Sequence, residues 1–199
     1  MANHRLILAS TSRFRKALLE RLKIDFTAIS PEVDENEISG EPPIEMAKRL
    51  SVLKARAVHE RFPDSVVIGS DQVPEFEGGV LRKPETAENA LVQLRSMSGK
   101  AHLLHTGCCV INEQGDERVF VNTAKLWMRE NLTDAQLRAY IQTDHPVFCA
   151  GSYMLEASGI ALFSRIECND WSAITGLPLI DLTSILVEWG VSPFQNKLP

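Results

Sequence analysis

The chain has 199 residues, 44% hydrophobic and 24% charged, which is typical of a globular protein with one sizeable core. The formal net charge of −5 argues against a general binder of nucleic acid polymers or anionic membranes, because such proteins have a dominant basic surface. No apolar stretch is long enough to span a bilayer, and the four cysteines have no metal or disulfide spacing, so we expect a cytoplasmic protein. No linker or repeat divides residues 1–199, which favours a single domain.

The first predicted elements are a buried strand at 6–9 and a helix that begins after the hydroxyl residues 10–12. Unpaired N–H groups at a helix start favour an anion, so a phosphate is expected to dock there. Arg15 falls on the same side of this helix as Leu18 and Leu22, which turns its guanidinium inward, toward such an anion. A capped helix with a solvated basic face explains the same residues equally well.

An acidic segment at 30–37 follows a predicted strand at 26–29. Carboxylates on a loop can hold a divalent cation, although most such clusters are solvated turns. A Pro-Pro pair then begins a second helix, which is predicted to end near His59. Lys54 lies inside the apolar stripe of this helix, where a lysine either meets an anionic partner or extends its head to water.

The β-branched run at 66–68 predicts a strand buried on both faces, with Asp71 just beyond its carboxyl end. Ligands of open α/β sheets bind at such ends, so Asp71 is expected to reach solvent in a cleft or to bind a cation. A hairpin with Gly78-Gly79 as its turn would return Lys83 to a position beside Asp71. That pair is either a plain salt bridge or a carboxylate next to a phosphate-binding ammonium.

The later elements complete an alternation of helices and strands. His102 and His105 face opposite sides of a predicted strand and are interpreted as structural, because such a pair cannot share a metal. The elements predicted after the hairpin are a helix at about 86–97, strands at about 102–111 and 118–127, a capping box at Thr133, a strand at about 160–166 and a helix at about 179–189.

Seven short segments occur in order along almost the whole chain: LILASTSRFR at 6–15, PEVDE at 31–35, LKAR at 53–56, GSDQV at 69–73, KP at 83–84, CAGSY at 149–153 and TGLPL at 175–179. Together they resemble the Maf family of nucleoside triphosphate pyrophosphatases. This resemblance implies an α/β fold with a mixed sheet, flanking helices and two lobes around a central cleft, like that of the inosine triphosphate pyrophosphatases.

The resemblance also implies hydrolysis of a nucleoside triphosphate, a small-molecule substrate, to the monophosphate and pyrophosphate with Mg²⁺ or Mn²⁺. It implies that Ser10 and Arg15 bind phosphate and that Glu35 and Asp71 serve the metal and the attacking water, with Asp71 as the metal ligand or the proton acceptor. The catalytic group that the resemblance implies consists of Asp71, Glu35, Lys54 and Lys83.

Three further positions, Phe14, Gln72 and Glu156, resemble the family branch that acts on 7-methyl-GTP rather than the branch that acts on dTTP and UTP. N7-methylguanine is cationic, so an aromatic face and a carboxylate suit it. The expected activity is removal of 7-methyl-GTP as a modified nucleotide. The alternatives are a dTTP/UTP pyrophosphatase and a non-enzymatic nucleotide-binding regulator of cell division, and a homodimer is left open.

Overall fold

A mixed sheet with flanking helices forms the framework, in a computed structural model that describes residues 5–194. Within those residues the strands are β1 (Arg5–Ala9), β2 (Phe26–Ile29), β3 (Ser65–Phe76), β4 (Gly79–Val80), β5 (Ala101–Ile111), β6 (Glu117–Met128) and β7 (Phe163–Glu167). The α-helices are α1 (Arg13–Glu20), α2 (Pro43–His59), α3 (Ala87–Met97), α4 (Asp134–Asp144), α5 (Trp171–Ile174) and α6 (Leu179–Glu188). Short 3-10 helices lie at Pro146–Phe148, Ala150–Ser152 and Ser158–Leu162.

The strands form one sheet in the order β2-β1-β3-β5-β6-β7, with β4 paired to β3. β1 is parallel to β2 and β3, whereas β4 is antiparallel to β3 and β7 is antiparallel to β6. The predicted α/β class with a mixed sheet and flanking helices is therefore confirmed. No helix among the described residues has the length and apolar character needed to cross a bilayer.

Residues 6–9 of β1 and 65–71 of β3 are buried on both faces of the sheet. Alternate side chains of each strand therefore pack against opposite layers. Leu6 and Leu8 of β1 join a core with apolar residues of α1 and α6. Ile7 and Ala9 point the other way and join a second core with residues of α2. Because both faces of β1 are covered, both sets of alternate residues are apolar, which explains the continuous apolar run in the sequence.

Helix α2 lies unusually close to the sheet, because two strand glycines leave room for its backbone. A Cβ atom on Gly69 of β3 would lie 2.3 Å from the carbonyl oxygen of Ser51. A Cβ atom on Gly107 of β5 would lie 2.2 Å from the carbonyl oxygen of Ala47. Both distances are far below a van der Waals contact, so a side chain at either position would force the helix away.

The chain divides into two compact units, and the single domain stays a prediction. The first unit comprises the described residues up to Gln72, then Thr106–Asn122 and the described residues from Asp170 onward. The second comprises Val73–His105 and Thr123–Asn169. Inside the second unit, His102, Tyr153 and Phe163 form an aromatic cluster with ring centroids 5.0 to 5.7 Å apart.

Most predicted helix boundaries are confirmed. Ser12 is the N-cap of α1, α2 begins at Pro43 and ends at His59, and the Thr133 capping box begins α4. The predicted strand at 160–166 is partly wrong, because residues up to Leu162 are in a 3-10 helix and β7 begins at Phe163. Leu162 and Phe163 are both buried, which breaks the in–out alternation of a strand at that point.

Two predictions about β3 and its hairpin are also wrong. β3 does not end before Asp71 but continues to Phe76. The turn residues are Glu77 and Gly78, with φ of 50° and 80°, and Phe76 pairs with Gly79. Two positive φ values match the twist of a tight hairpin. Because Phe76 and not Glu77 is the last paired residue before the turn, the register differs by one residue from the predicted one. The predicted position of Lys83 beside Asp71 was based on the other register, so that geometric argument no longer holds.

Candidate functional site

The carboxyl ends of two parallel strands meet at one edge of the sheet, in the first unit. Ala9 is the last residue of β1, and it pairs with Ile29 at the end of β2 and with Gly69 in β3. Ser10 follows β1 directly, and Asp71 lies two residues beyond Gly69 along β3. Open α/β sheets bind their ligands just beyond the carboxyl ends of the parallel strands, so these side chains lie at a typical ligand position.

A buried lysine joins two carboxylates at this edge. Lys54 of α2 is only 5% exposed, and its Nζ lies 2.5 Å from Asp71 Oδ1 and 2.9 Å from Glu35 Oε1. Asp71 is 8% exposed, whereas Glu35 lies on the loop after β2 with about half of its side chain exposed. A buried ammonium needs such compensation, so of the two alternatives that the sequence leaves open for Lys54, the structure shows the anionic partner.

Glu35 and Asp71 have the oxygen donors that Mg²⁺ and Mn²⁺ prefer. Their carboxylates already converge on one cation, the Lys54 ammonium. Within residues 5–194, no group of three or more His, Cys, Asp or Glu side chains is arranged to hold a metal ion. A divalent ion held here would therefore depend on water and substrate oxygens for its remaining ligands, which is usual for magnesium at phosphate sites.

Ser10 and Arg15 come together at the start of α1. The Ser12 hydroxyl accepts a 3.4 Å hydrogen bond from the Arg15 backbone N–H and so caps the helix. The Arg15 guanidinium donates from Nη1 to the Ser10 hydroxyl at 3.5 Å and from Nε to the Gly176 carbonyl at 3.0 Å. The predicted inward orientation of Arg15 is confirmed, and these partners are neutral oxygens, which leave the positive charge available to an anion.

Two predicted specificity residues belong to the same unit. Phe14 is half-buried, and the Arg13 guanidinium lies 4.6 Å from its ring centroid, so the ring face already attracts a cation. Gln72 donates from Nε2 to the carbonyls of Ala173 and Ile174 at 2.9 and 3.0 Å. It also donates to the Thr106 hydroxyl at 3.0 Å. These acceptors fix the orientation of the Gln72 amide.

The other two predicted site residues, Lys83 and Glu156, belong to the second unit. Lys83 is exposed in the segment between β4 and α3. Glu156 is exposed between two 3-10 helices, next to the buried Leu155. The roles of both residues stay predictions.

The sequence did not reveal the groups that support Arg15 and Gln72. Ser70 is buried, and its hydroxyl donates to the carbonyls of Gly107 and Gly176 at 2.8 and 2.9 Å. The carbonyl of Gly176 is part of a segment held by Asp170, which is 4% exposed. An Asp-x-Ser pattern before a short helix is an N-cap signal that identifies Asp170, but it gives no indication of a nearby site.

Comparison with known proteins gives a family and a fold. The sequence profile of the Maf-like protein family matches residues 5–189. A protein of Bordetella parapertussis named 7-methyl-GTP pyrophosphatase is 47% identical over 192 residues, which cover 96% of each chain. A Vibrio vulnificus protein of the same name is 42% identical, over 96% of this chain and 98% of its own.

Among solved structures, a HAM1 protein from Coxiella burnetii is similar with a TM-score of 0.53 and 15% identity. The similarity covers 93% of this chain and 99% of that one. At this level of identity the match establishes a common fold and nothing further.

Proposed function

The chain belongs to the Maf-like protein family, and from that premise we propose that it hydrolyses 7-methyl-GTP to 7-methyl-GMP and pyrophosphate. The observation that carries this proposal is the Lys54 ammonium between Asp71 and Glu35 at the carboxyl edge of the parallel strands. The choice of substrate is supported by the names of relatives that are 42% and 47% identical over nearly the full chain.

Each charged group has a role in the proposed reaction. The Asp71 carboxylate orients the attacking water and accepts its proton as the new oxygen–phosphorus bond forms and pyrophosphate leaves. Lys54 stabilises the negative charge that develops on the phosphate, a role that its contact with Asp71 supports. Ser10 and Arg15 bind the phosphate chain at the start of α1, and Lys83 adds a further cation.

Mg²⁺ or Mn²⁺ is part of the proposal, with Glu35 and Asp71 as the residues that would hold it. When bound, the ion would neutralise charge on the triphosphate. The support is the chemistry of the donor set, two carboxylates that converge on one cation, because magnesium at phosphate sites is usually held by one or two carboxylates together with substrate oxygens.

Recognition of the methylated base is assigned to Phe14, Gln72 and Glu156. The ring of Phe14 offers a π face to the cationic purine, and the carboxylate of Glu156 offers acceptors to the donor edge of guanine. We also propose a cytoplasmic location, since Cys108 and Cys109 are buried free thiols and a reducing compartment keeps thiols in that state.

A substrate panel tests the proposal. Pyrophosphate release by the purified protein is measured with Mg²⁺ or Mn²⁺ on 7-methyl-GTP, GTP, UTP and dTTP, with EDTA as the metal control. We expect metal-dependent release with the highest kcat/KM for 7-methyl-GTP. A preference for UTP or dTTP would overturn the base assignment, and no release from any of the four would favour a regulator that only binds nucleotides.

A further inference from the structure

Asp170 is a buried carboxylate to which the proposed reaction gives no role. It is 4% exposed and caps the start of α5. Its Oδ1 accepts from the Ser172 N–H at 2.8 Å and from the Ser172 hydroxyl at 2.6 Å, and its Oδ2 accepts from the Ile180 N–H at 2.8 Å. The charge of Asp170 is thus compensated by backbone and hydroxyl donors.

These hydrogen bonds fasten the two ends of one segment. Ser172 lies in the first turn of α5, and Ile180 lies in the first turn of α6. The Ser172 hydroxyl, which donates to Asp170, also accepts from the Leu179 N–H at 2.8 Å. Asp170 therefore holds the starts of both helices together, and the intervening residues 173–178 form a closed loop between them.

The carbonyl groups of this closed loop hold two proposed site residues. The Ala173 and Ile174 carbonyls accept from Gln72, and the Gly176 carbonyl accepts from Arg15 Nε at 3.0 Å. The loop makes further hydrogen bonds to the sheet through Thr106 and Ser70. All of these groups belong to the first unit. A displacement of the loop would move the acceptors of both side chains.

We infer that Asp170 is a positioning residue, which fixes the loop whose carbonyls orient Arg15 for phosphate and Gln72 for the base. The consequence for substrate rests on the proposed function, whereas the positioning itself does not. Asp170→Asn is a sharp test, because it keeps one acceptor oxygen and the size of the side chain. The amide NH₂ cannot accept from the Ile180 N–H, so one end of the loop is released.

The first measurement is hydrogen exchange of side-chain N–H groups by NMR, which needs no substrate. In the native protein the Arg15 Nε–H and the Gln72 NH₂ are expected to exchange slowly, because backbone carbonyls accept them. In Asp170→Asn we expect exchange of both to accelerate about tenfold, on the scale of one lost hydrogen bond to a charged group. Asp181→Asn, an exposed acid in the first turn of α6, is the matched control and is expected to leave both rates unchanged.

The second measurement is kinetic. Asp170→Asn is expected to raise KM for 7-methyl-GTP about tenfold with kcat within about threefold of the native value, since binding is affected more than chemistry. It should also lower the ratio of kcat/KM for 7-methyl-GTP to that for GTP. Val58→Ala, which removes buried methyl groups on the opposite face of the sheet, controls for lost stability and should leave KM and the ratio unchanged.

The outcomes separate the two proposals. Unchanged exchange of Arg15 and Gln72 in Asp170→Asn would overturn the inference, as would faster exchange with an unaltered KM and substrate ratio. If Asp170→Asn does not fold, Ser172→Ala decides by the same criteria, because it removes the hydroxyl that links Asp170 to Leu179. A native protein without pyrophosphatase activity would contradict the proposed function, and the exchange measurement alone would then decide the inference.

Discussion

Asp71 and Asp170 are two buried aspartates of the same unit with different partners. They are 8% and 4% exposed, respectively. Asp71 contacts the ammonium of Lys54, a charge at the end of a side chain. Asp170 contacts backbone N–H groups and the hydroxyl of Ser172, which are parts of the scaffold.

The partners of the two carboxylates differ much more than their burial does, and this difference is the basis for proposing a reacting role for Asp71 and a structural role for Asp170. A carboxylate paired with a side-chain cation can instead bind a metal ion, or accept a proton from water, with little movement of the backbone. A carboxylate that accepts hydrogen bonds from backbone N–H groups cannot leave them without depriving those groups of their acceptor and displacing the segment. The comparison therefore predicts different effects of mutation at the two residues: a lower rate of the chemical step at Asp71, and a loss of side-chain positioning at Asp170.

The largest effect is expected from Asp71→Asn. It should lower kcat about 10²- to 10⁴-fold, because the proton acceptor is lost, while Tm changes little, because Glu35 still compensates Lys54. Steady-state pyrophosphate release and thermal unfolding check it, with the exposed Asp64→Asn as control. Turnover close to that of the native protein would remove Asp71 from the reacting group and end the contrast with Asp170.

Removal of the Lys54 ammonium should affect stability as well as the proposed reaction. Lys54→Met leaves the buried Asp71 without its ammonium, so the free energy of unfolding should fall by about 3–5 kcal/mol. Addition of Asp71→Asn in the same chain should restore most of this loss, because the uncompensated charge is gone. Urea unfolding measures both, and Lys48→Met, on an exposed part of the same helix, is the control. Equal stability of Lys54→Met and Lys48→Met would mean that Asp71 is not held by Lys54.

His102 extends the comparison to a buried group whose hydrogen-bond partner, the Tyr153 hydroxyl, is neutral. It is 2% exposed, its Nε2 is 2.9 Å from the Tyr153 hydroxyl, and burial lowers its pKa from 6.5 to about 4. Below pH 6.5 the unfolded chain binds a proton at His102 that the folded chain does not. The free energy of unfolding should therefore fall by on the order of 3 kcal/mol as the pH drops from 6.5 to 4.

Urea unfolding from pH 4 to 7.5 measures this dependence. His102→Gln should flatten it across that window, whereas His145→Asn, at an exposed helix end, should not. The same slope in the native and His102→Gln proteins would show that burial does not keep this ring neutral.

The smallest effect is expected at an exposed carboxylate. Glu156→Gln should lower the preference for 7-methyl-GTP over GTP about tenfold with little change in Tm, since one charge-assisted hydrogen bond is lost. The ratio of kcat/KM values measures it, with the exposed Glu130→Gln as control. A preference equal to that of the native protein would remove Glu156 from base recognition.

The sequence was sufficient for the local parts of the site. Helical spacing identified Lys54 as an inward lysine and Arg15 as an inward arginine, because an amphipathic period fixes which face a residue occupies. The β-branched run before Asp71 identified the buried strand, although that strand continues beyond it. Each of these signals lies within one element and needs no knowledge of distant contacts.

The remaining parts depend on contacts between distant segments. Asp170 supports Arg15 through the segment that carries the Gly176 carbonyl. Asp170 and Arg15 are far apart in the sequence, so no local pattern connects them. The close approach of α2 depends on Gly69 and Gly107, which no local pattern distinguishes from turn glycines. The hairpin turn lies one residue before the predicted Gly78-Gly79 turn. Glu77 adopts a positive φ there, a conformation that is usually found at glycine.

The most direct test of the central claim is the identity of the products. The purified protein is incubated with 7-methyl-GTP and Mg²⁺, and the phosphorus species are followed by ³¹P NMR. Equal amounts of 7-methyl-GMP and pyrophosphate, with none formed by Asp71→Asn over the same period, are the expected result. Release of inorganic phosphate with 7-methyl-GDP, or equal rates for the native and Asp71→Asn proteins, would contradict the assignment of the reaction and of its central residue.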